Sequence, residues 1–237
     1  MKILAFDTSN NNNEVAIIDF DAQHNNFKII SCNRIDDNSS QAETLILSIE
    51  KCLKLANIWY QDLDLITTTK GPGNFTGIRI GFTTAKIVHI ATKKPLVTLN
   101  NLEILAYDHI SHHQGKILVI LDARLEEFFI QEFEINNNIL TSNYDSPILI
   151  NNKDIENYLT DDDCLMIGSG KEIAADILQK SKIEHKFKVS AQEDDIKLLN
   201  LAKLAIKYQN EAPQNIKNEI LYVRKPNISK PKNKLTN

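Results

Sequence analysis

The sequence predicts an α/β protein, a mixed sheet covered by helices with a smaller second unit behind it. Three observations predict this. Three short apolar stretches follow one another in the first 35 residues with little chain between them. Helical and strand periods then alternate as far as residue 110. Four of the seven glycines crowd into Lys70–Gly81, between an apolar run and a helical one. The 237 residues are 42% hydrophobic and 24% charged, which excludes a disordered chain, a coiled coil and a collagen-like repeat. A net charge of −4 argues against a protein that grips nucleic acid over its whole surface. No apolar run approaches the roughly 18 residues of a membrane helix, and Asp7 interrupts the N-terminus too early for a signal sequence. The scattered Cys32, Cys52 and Cys164 read as reduced thiols rather than a disulfide framework.

The elements follow in order. Lys2–Thr8 turns abruptly from apolar to polar, as a buried strand does where it ends at a site. Val15–Phe20 and Phe27–Ile35 are further strands, and links this short favour antiparallel neighbours. Ser40 with Glu43 forms a capping box that opens a helix to Asn57. Ala42, Leu45, Ile46, Ile49, Leu53 and Ala56 make its apolar stripe. Leu47 and Leu55 fall off that stripe; they are either scattered surface leucines or a second face for a partner helix. Leu63–Thr69 is a strand and Thr76–Thr92 a helix whose apolar residues run nearly all the way round, as on a helix buried between layers or at an interface. Pro95–Thr98 and Asn100–Ile110 complete a pattern typical of a ribonuclease-H-like or actin-like lobe. Beyond a boundary near 110–115, Lys116–Leu121 and Glu127–Ile135 read as strands joined through Asp122-Ala123-Arg124. Asp154–Leu159, Lys171–Lys180 and Asp195–Gln209 read as helices around a strand at Cys164–Ile167. The tail carries Arg224, Lys225, Lys230, Lys232 and Lys234 with no acid after Glu219; such a run is usually solvated.

Chemistry concentrates in Lys70-Gly71-Pro72-Gly73-Asn74-Phe75-Thr76-Gly77-Ile78-Arg79-Ile80-Gly81. A glycine-rich link from strand to helix N-terminus offers free N–H groups and a favourable dipole to an anion. Its spacing matches neither a Walker A loop nor a dinucleotide fingerprint, so bare glycine spacing favours a tight turn with close helix packing by Gly77 and Gly81. Asp7 and Thr8 end the first strand, where a carboxylate can hold Mg²⁺ and a hydroxyl can meet a phosphate, although one acid is not a metal site. Asp122 ends a later strand and reads more readily as a turn cap. His109 and His113 stand at i, i+4, the spacing of a zinc pair. A polar helix end with no adjacent Glu makes a solvated surface cluster the better reading.

These residues identify a family. Ile3-Leu4-Ala5-Phe6-Asp7-Thr8-Ser9 resembles the opening strand of bacterial TsaB (YeaZ-type) proteins. Lys70–Gly81 resembles their Gly-Pro-Gly-Ser-Phe-Thr-Gly-Leu-Arg-Ile-Gly motif, with Asn74 and Ile78 in place of Ser and Leu. Leu121-Asp122-Ala123-Arg124 with Glu127-Phe128-Phe129 is similar to their Asp-Ala-Arg…Glu-Val-Tyr stretch, and Leu221-Tyr222-Val223-Arg224 to their C-terminal Tyr-Leu-Arg.

The resemblance implies a two-lobed actin-like/ribonuclease-H-like fold with mixed sheets and a reduced second lobe. Residues 1–112 would form the first lobe, 113–194 the second and 210–237 a tail, with the helix 195–209 packed back on the first lobe. It implies a role in forming threonylcarbamoyladenosine in tRNA, as a cytoplasmic, non-catalytic partner that activates a TsaD-type transferase. A TsaE-type ATPase would join the complex, a TsaC-type enzyme would supply its substrate, and tRNA would be met through the complex. TsaD relatives carry a His-x-x-x-His metal pair soon after the glycine motif. The matching stretch here, Val97–Leu102, has no histidine, so no catalytic or metal residue carries over. No cofactor is expected on this chain alone, while a nucleotide at the partner interface stays open, as does a homodimer when the partner is absent. Pairing would use the first-lobe helices 40–57 and 76–92 through Leu47, Leu55, Phe82 and Ile87. Asp7, Thr8, Gly71, Gly73, Thr76, Gly77 and Asp122 would be a vestigial phosphate-facing set. The rivals are an ATP-dependent, kinase-like enzyme of the same fold, with Gly168-Ser169-Gly170 as a thin adenosine loop, and a metallopeptidase resting on His109 and His113.

Overall fold

A computed structural model describes residues 1–10, 12–36, 41–142, 144–159, 164–181, 187–192, 194–211 and 217–224. Ser40 of the expected capping box, His185 and the lysines from Lys225 onward lie outside the described residues.

The first sheet has the order β3-β2-β1-β4-β5. Its strands are β1 (Lys2–Asp7), β2 (Asn13–Asp21), β3 (Asn26–Ile35), β4 (Leu65–Thr69) and β5 (Leu96–Leu99). The short links make β1–β2 and β2–β3 antiparallel, and the helical crossovers make β1–β4 and β4–β5 parallel. Side-chain alternation divides its core. Ile3, Ala5, Ala16 and Ile18 face one way, and Leu4, Phe6, Val15 and Ile17 the other. Helices α1 (Gln41–Ala56) and α2 (Phe75–Thr92) cover the second face, burying Leu45, Ile49, Cys52, Leu53, Ala85 and Val88 against it.

The first face is shared. Helices α3 (Asn101–Tyr107) and α5 (Leu198–Glu211) lie between the two sheets. They join Ile3, Leu65 and Val97 of the first sheet to Ile117, Val119, Phe133 and Ile135 of the second in one apolar cluster. The C-terminal helix therefore packs on the first sheet, against β1, β2, β4 and β5. The second sheet repeats the plan of the first, with a meander and then parallel strands. Its main path is β11-β10-β6-β7-β8, and β9 also pairs with β7. The strands are β6 (Gly115–Arg124), β7 (Glu127–Asn136), β8 (Ile139–Ser142), β9 (Ile148–Asn151), β10 (Cys164–Ile167) and β11 (Phe187–Val189). Helix α4 (Lys171–Lys180) and a 3-10 segment, Asn152–Tyr158, cover its outer face.

Sequence periodicity did not indicate β8, β9 or β11. They have three or four residues each, and β8 is mostly exposed, so neither length nor alternation distinguishes them from loop. Asn152–Tyr158 is 3-10, not α-helical, and α3 stops three residues earlier than Ile110. The three cysteines are free thiols, with Cys52 and Cys164 buried. No helix among the described residues is long and apolar enough to cross a membrane.

Candidate functional site

The glycine-rich loop is locked onto the chain's own first strand. Asn74 caps α2: its Oδ1 accepts from the N–H groups of Thr76 at 3.1 Å and Gly77 at 3.3 Å, and its own N–H donates to Ser9 O at 2.8 Å. Thr8 Oγ1 donates to Gly77 O at 2.7 Å. A β-carbon on Gly77 would lie 1.9 Å from Thr8 O, one on Gly73 2.8 Å from Ser9 O, and one on Gly81 2.3 Å from Thr8 Oγ1. These glycines exist so that α2 can press against the end of β1. Gly71 has φ +99° and exchanges two hydrogen bonds with Asn101, both 3.0 Å. Asn74→Ala is expected to cost about 1 kcal/mol in denaturant unfolding, the weight of a lost N-cap, while Asn74→Ser, which restores the hydroxyl of the resembling motif, stays near wild type.

The same contacts set where the phosphate-facing set stands. Asp7 is buried, accepting from Thr69 Oγ1 at 2.5 Å and Ser9 N–H at 3.0 Å. Burial pushes its carboxyl above the usual carboxylate range, against the pull of those hydrogen bonds. Asp7 and Thr8 lie behind the loop and do not line the cleft in front of it. The α2 N-terminal donors of Thr76 and Gly77 are taken up by Asn74, and Gly71 by Asn101, so these positions serve the turn. Only Gly73 and Asp122 of that set reach the cleft wall. Exposed Asp122 caps its own turn, Oδ1 accepting from Arg124 N–H at 2.8 Å. The Gly168-Ser169-Gly170 loop is likewise engaged in cis: a β-carbon on Gly168 would meet Ile120 O at 2.3 Å, and Ser169 Oγ accepts from Asp122 N–H at 3.1 Å.

The cleft lies between the lobes and measures about 730 Å³. One wall is the loop with Phe75 and Ile78, another the β6–β7 turn at Asp122–Arg124, and a third the C-terminal segment Ile220–Arg224. A second cleft of about 490 Å³, lined by Lys70, Asn100, Glu103, Gln131 and Tyr208, lies where the same segment contributes Lys217 and Leu221. There Tyr208 Oη donates to Glu103 Oε1 at 2.7 Å, and burial pushes the Glu103 carboxyl up and the Lys70 ammonium down.

The expected solvated histidine cluster holds at His112 and fails at His109. His109 is only 5% exposed, held in the turn after α3, and its Nδ1 lies 3.2 Å from Nε2 of exposed His112. Burial, foremost, pushes His109 down to about 4, so it is neutral at physiological pH. His113 Nε2 instead faces Lys116 O at 3.2 Å, so the i, i+4 pair does not converge. Among the described residues no three His, Cys, Asp or Glu side chains form a metal-holding group.

Large apolar side chains stand exposed on the outer faces of α1 and α2. Leu47 is 62% exposed, Leu55 63%, Ile87 59% and Ile90 71%, with Trp59 at 78% beside the end of α1. Phe82 is half-buried and carries Lys86 Nζ 5.4 Å from its ring centre. These side chains thus stand on two neighbouring helices of one lobe.

Two lobes of mixed sheet, each with helices outside and a cleft between, define the actin-like and sugar-kinase class. The inorganic polyphosphate/ATP-glucomannokinase of Arthrobacter sp. strain KM shares the fold at TM-score 0.50, with 9% identity over 88% of this chain and 99% of that one. YeaZ from Pseudomonas aeruginosa superposes with TM-score 0.71 at 19% identity, over 90% of this chain and 93% of that one. Residues 38–233 match the TsaD family, tRNA N6-adenosine threonylcarbamoyltransferase. The chain is 31% identical over 157 residues to the tRNA threonylcarbamoyladenosine biosynthesis protein TsaB of Buchnera aphidicola subsp. Schizaphis graminum, covering 65% of this chain and 70% of that protein. Against TsaB of Bacillus subtilis the identity is 30% over 140 residues, covering 59% and 58%; the match to the Rhizobium johnstonii transferase spans only 32% of that enzyme's length. The chain belongs to the TsaD family and, within it, is of the TsaB (YeaZ) type.

Proposed function

We propose that this chain is a scaffold and activator in tRNA threonylcarbamoyladenosine formation, binding a TsaD-type transferase through the outer faces of α1 and α2. The observation that carries this reading is the exposure of Leu47, Leu55, Ile87 and Ile90 on adjacent helices of a TsaB-type chain. The cis engagement of the glycine loop supports it too: Asp7 is held behind that loop by Thr69 and Ser9. The work of such a subunit is a coupling free energy: it binds the competent conformation of the transferase better than the idle one. A TsaE-type ATPase joins the complex, tRNA is met in the cytoplasm through it, and a nucleotide has its place at the shared interface. Without the transferase, the same apolar faces pair two copies of this chain.

The test is reconstitution. The purified chain alone is expected to transfer no threonylcarbamoyl group to tRNA and to stimulate its TsaD-type partner when the two are mixed. Transfer by this chain alone overturns the reading. Calorimetry with Mg·ATP on the isolated chain separates it from the kinase-like alternative, which requires tight binding there.

A further inference from the structure

The C-terminal segment 217–224 behaves in the fold as a tie, though it has no regular secondary structure. At one end it closes the first sheet. β5 is an edge strand, and Asn218 serves it as a neighbouring strand would. Its Oδ1 accepts from Thr98 N–H at 3.0 Å and Thr98 Oγ1 at 3.2 Å, and its Nδ2 donates to Leu96 O at 2.7 Å. A side-chain amide thus satisfies two outward-facing backbone groups of the edge, Thr98 N–H and Leu96 O. Leu221 N–H then donates to Lys70 O at 2.9 Å, at the start of the glycine loop. At the other end the segment holds the second lobe: Arg224 Nη2 donates to Ala123 O at 2.9 Å and pairs with Glu127, across the β6–β7 turn. Between these anchors Tyr222 leans on Phe75, with ring centres 5.9 Å apart. Arg79 donates to Tyr222 Oη at 3.3 Å and stacks 4.5 Å from the Phe75 ring centre.

We propose that residues 217–224 are a releasable strap that sets how the two lobes stand to each other, and that Tyr222 links the strap to the partner face of α2. Phe75, Arg79, Phe82 and Lys86 are spaced i, i+4, i+7 and i+11, so they follow one face of that helix. Tyr222 stands at the head of this row, and both it and Phe75 are about half exposed. A partner seated on the row buries Tyr222 only while the strap is in place. Partner binding and strap closure therefore favour each other, and by linkage each strengthens the other by the same factor. The anchors suit a strap that opens without unfolding the lobes: the segment makes side-chain and single backbone bonds, and its residues are half-buried or exposed. The part of this inference that concerns the partner rests on the function proposed above; the part that concerns release does not.

Amide hydrogen exchange at Thr98 reads the strap directly, because its N–H donates to Asn218 Oδ1 across the sheet edge. In the full-length chain, Arg224→Ala cuts the second-lobe anchor, and Thr98 exchange is expected to rise about five- to tenfold, the weight of a half-exposed charged hydrogen bond. Core amides such as Ile17 should keep their protection. Leu221→Pro removes the bond to Lys70 O and gives the same readout should the first variant fold poorly. Adding a purified TsaD-type transferase is expected to slow Thr98 exchange again, in wild type and in Arg224→Ala. Unchanged Thr98 exchange in both variants overturns the strap. Faster exchange in the variants that the bound transferase leaves untouched overturns its link to the partner face. A transferase that does not bind at all counts against the proposed function, while the free-chain comparison still decides the strap.

Discussion

Gly77→Ala is expected to destabilise the fold by about 3 kcal/mol, at the upper end of what an overpacked core site costs. The reason is geometric. The added carbon would stand 1.9 Å from a backbone oxygen, that of Thr8, so no side chain can turn aside to make room. Either α2 lifts off the sheet or the end of β1 moves, and both also break the Thr8 hydroxyl bond to Gly77 O. Alanine is a better helix former than glycine by about 1 kcal/mol, an offset too small to reverse the sign. Melting should fall by roughly 6–12 °C for a chain of this size. Gly115→Ala is the control. Gly115 has φ +97° but nothing within 4 Å of the added carbon, so it carries only backbone strain, about 1–2 kcal/mol. Equal losses at the two sites would mean that helix packing is not what glycine serves at position 77.

That contact also marks how far sequence can be read. The strands β1, β2 and β4 and the helices α1 and α2 were legible because both their faces, or one continuous stripe, meet a core, and burial writes a period into the residues. The glycine run was legible as a tight, close-packed turn. What it packs against was not, because Thr8 and Gly77 are 69 residues apart and no local pattern encodes that meeting. Asp7 and Thr8 looked like cleft residues because a strand that turns polar at its end commonly faces a site; here the loop closes over them. His109 looked solvated because its neighbours His112, Gln114 and Gly115 are polar, yet the turn after α3 folds it inward to 5% exposure. Tyr222 and Arg224 were visible as a motif. Their partners Phe75, Arg79 and Glu127 lie about a hundred residues or more upstream, so only the fold reveals that the motif is a tie between lobes.

Leu47→Asp combined with Ile87→Asp is expected to weaken binding of the TsaD-type transferase by at least about a hundredfold while leaving the chain folded. Interfaces concentrate their energy in a few apolar anchors, each worth about 2 kcal/mol or more, and a carboxylate buried without a partner adds its desolvation cost to the lost contact. Stability should move by only about 0.5 kcal/mol per site, as for ordinary surface substitutions, because both side chains already stand mostly in water. Leu45→Asp, two residues from Leu47 but wholly buried under α1, should instead unfold the protein, which separates the outer face of the helix from its core face. Titration calorimetry against the transferase, with circular dichroism for the fold, decides the matter. A folded double variant that still binds at wild-type strength would remove these helices from the interface. The apolar residues on their outer faces would then need another occupant, and the homodimer, measured by sedimentation of the same variant, is the first to examine: if it too persists, neither pairing uses this face.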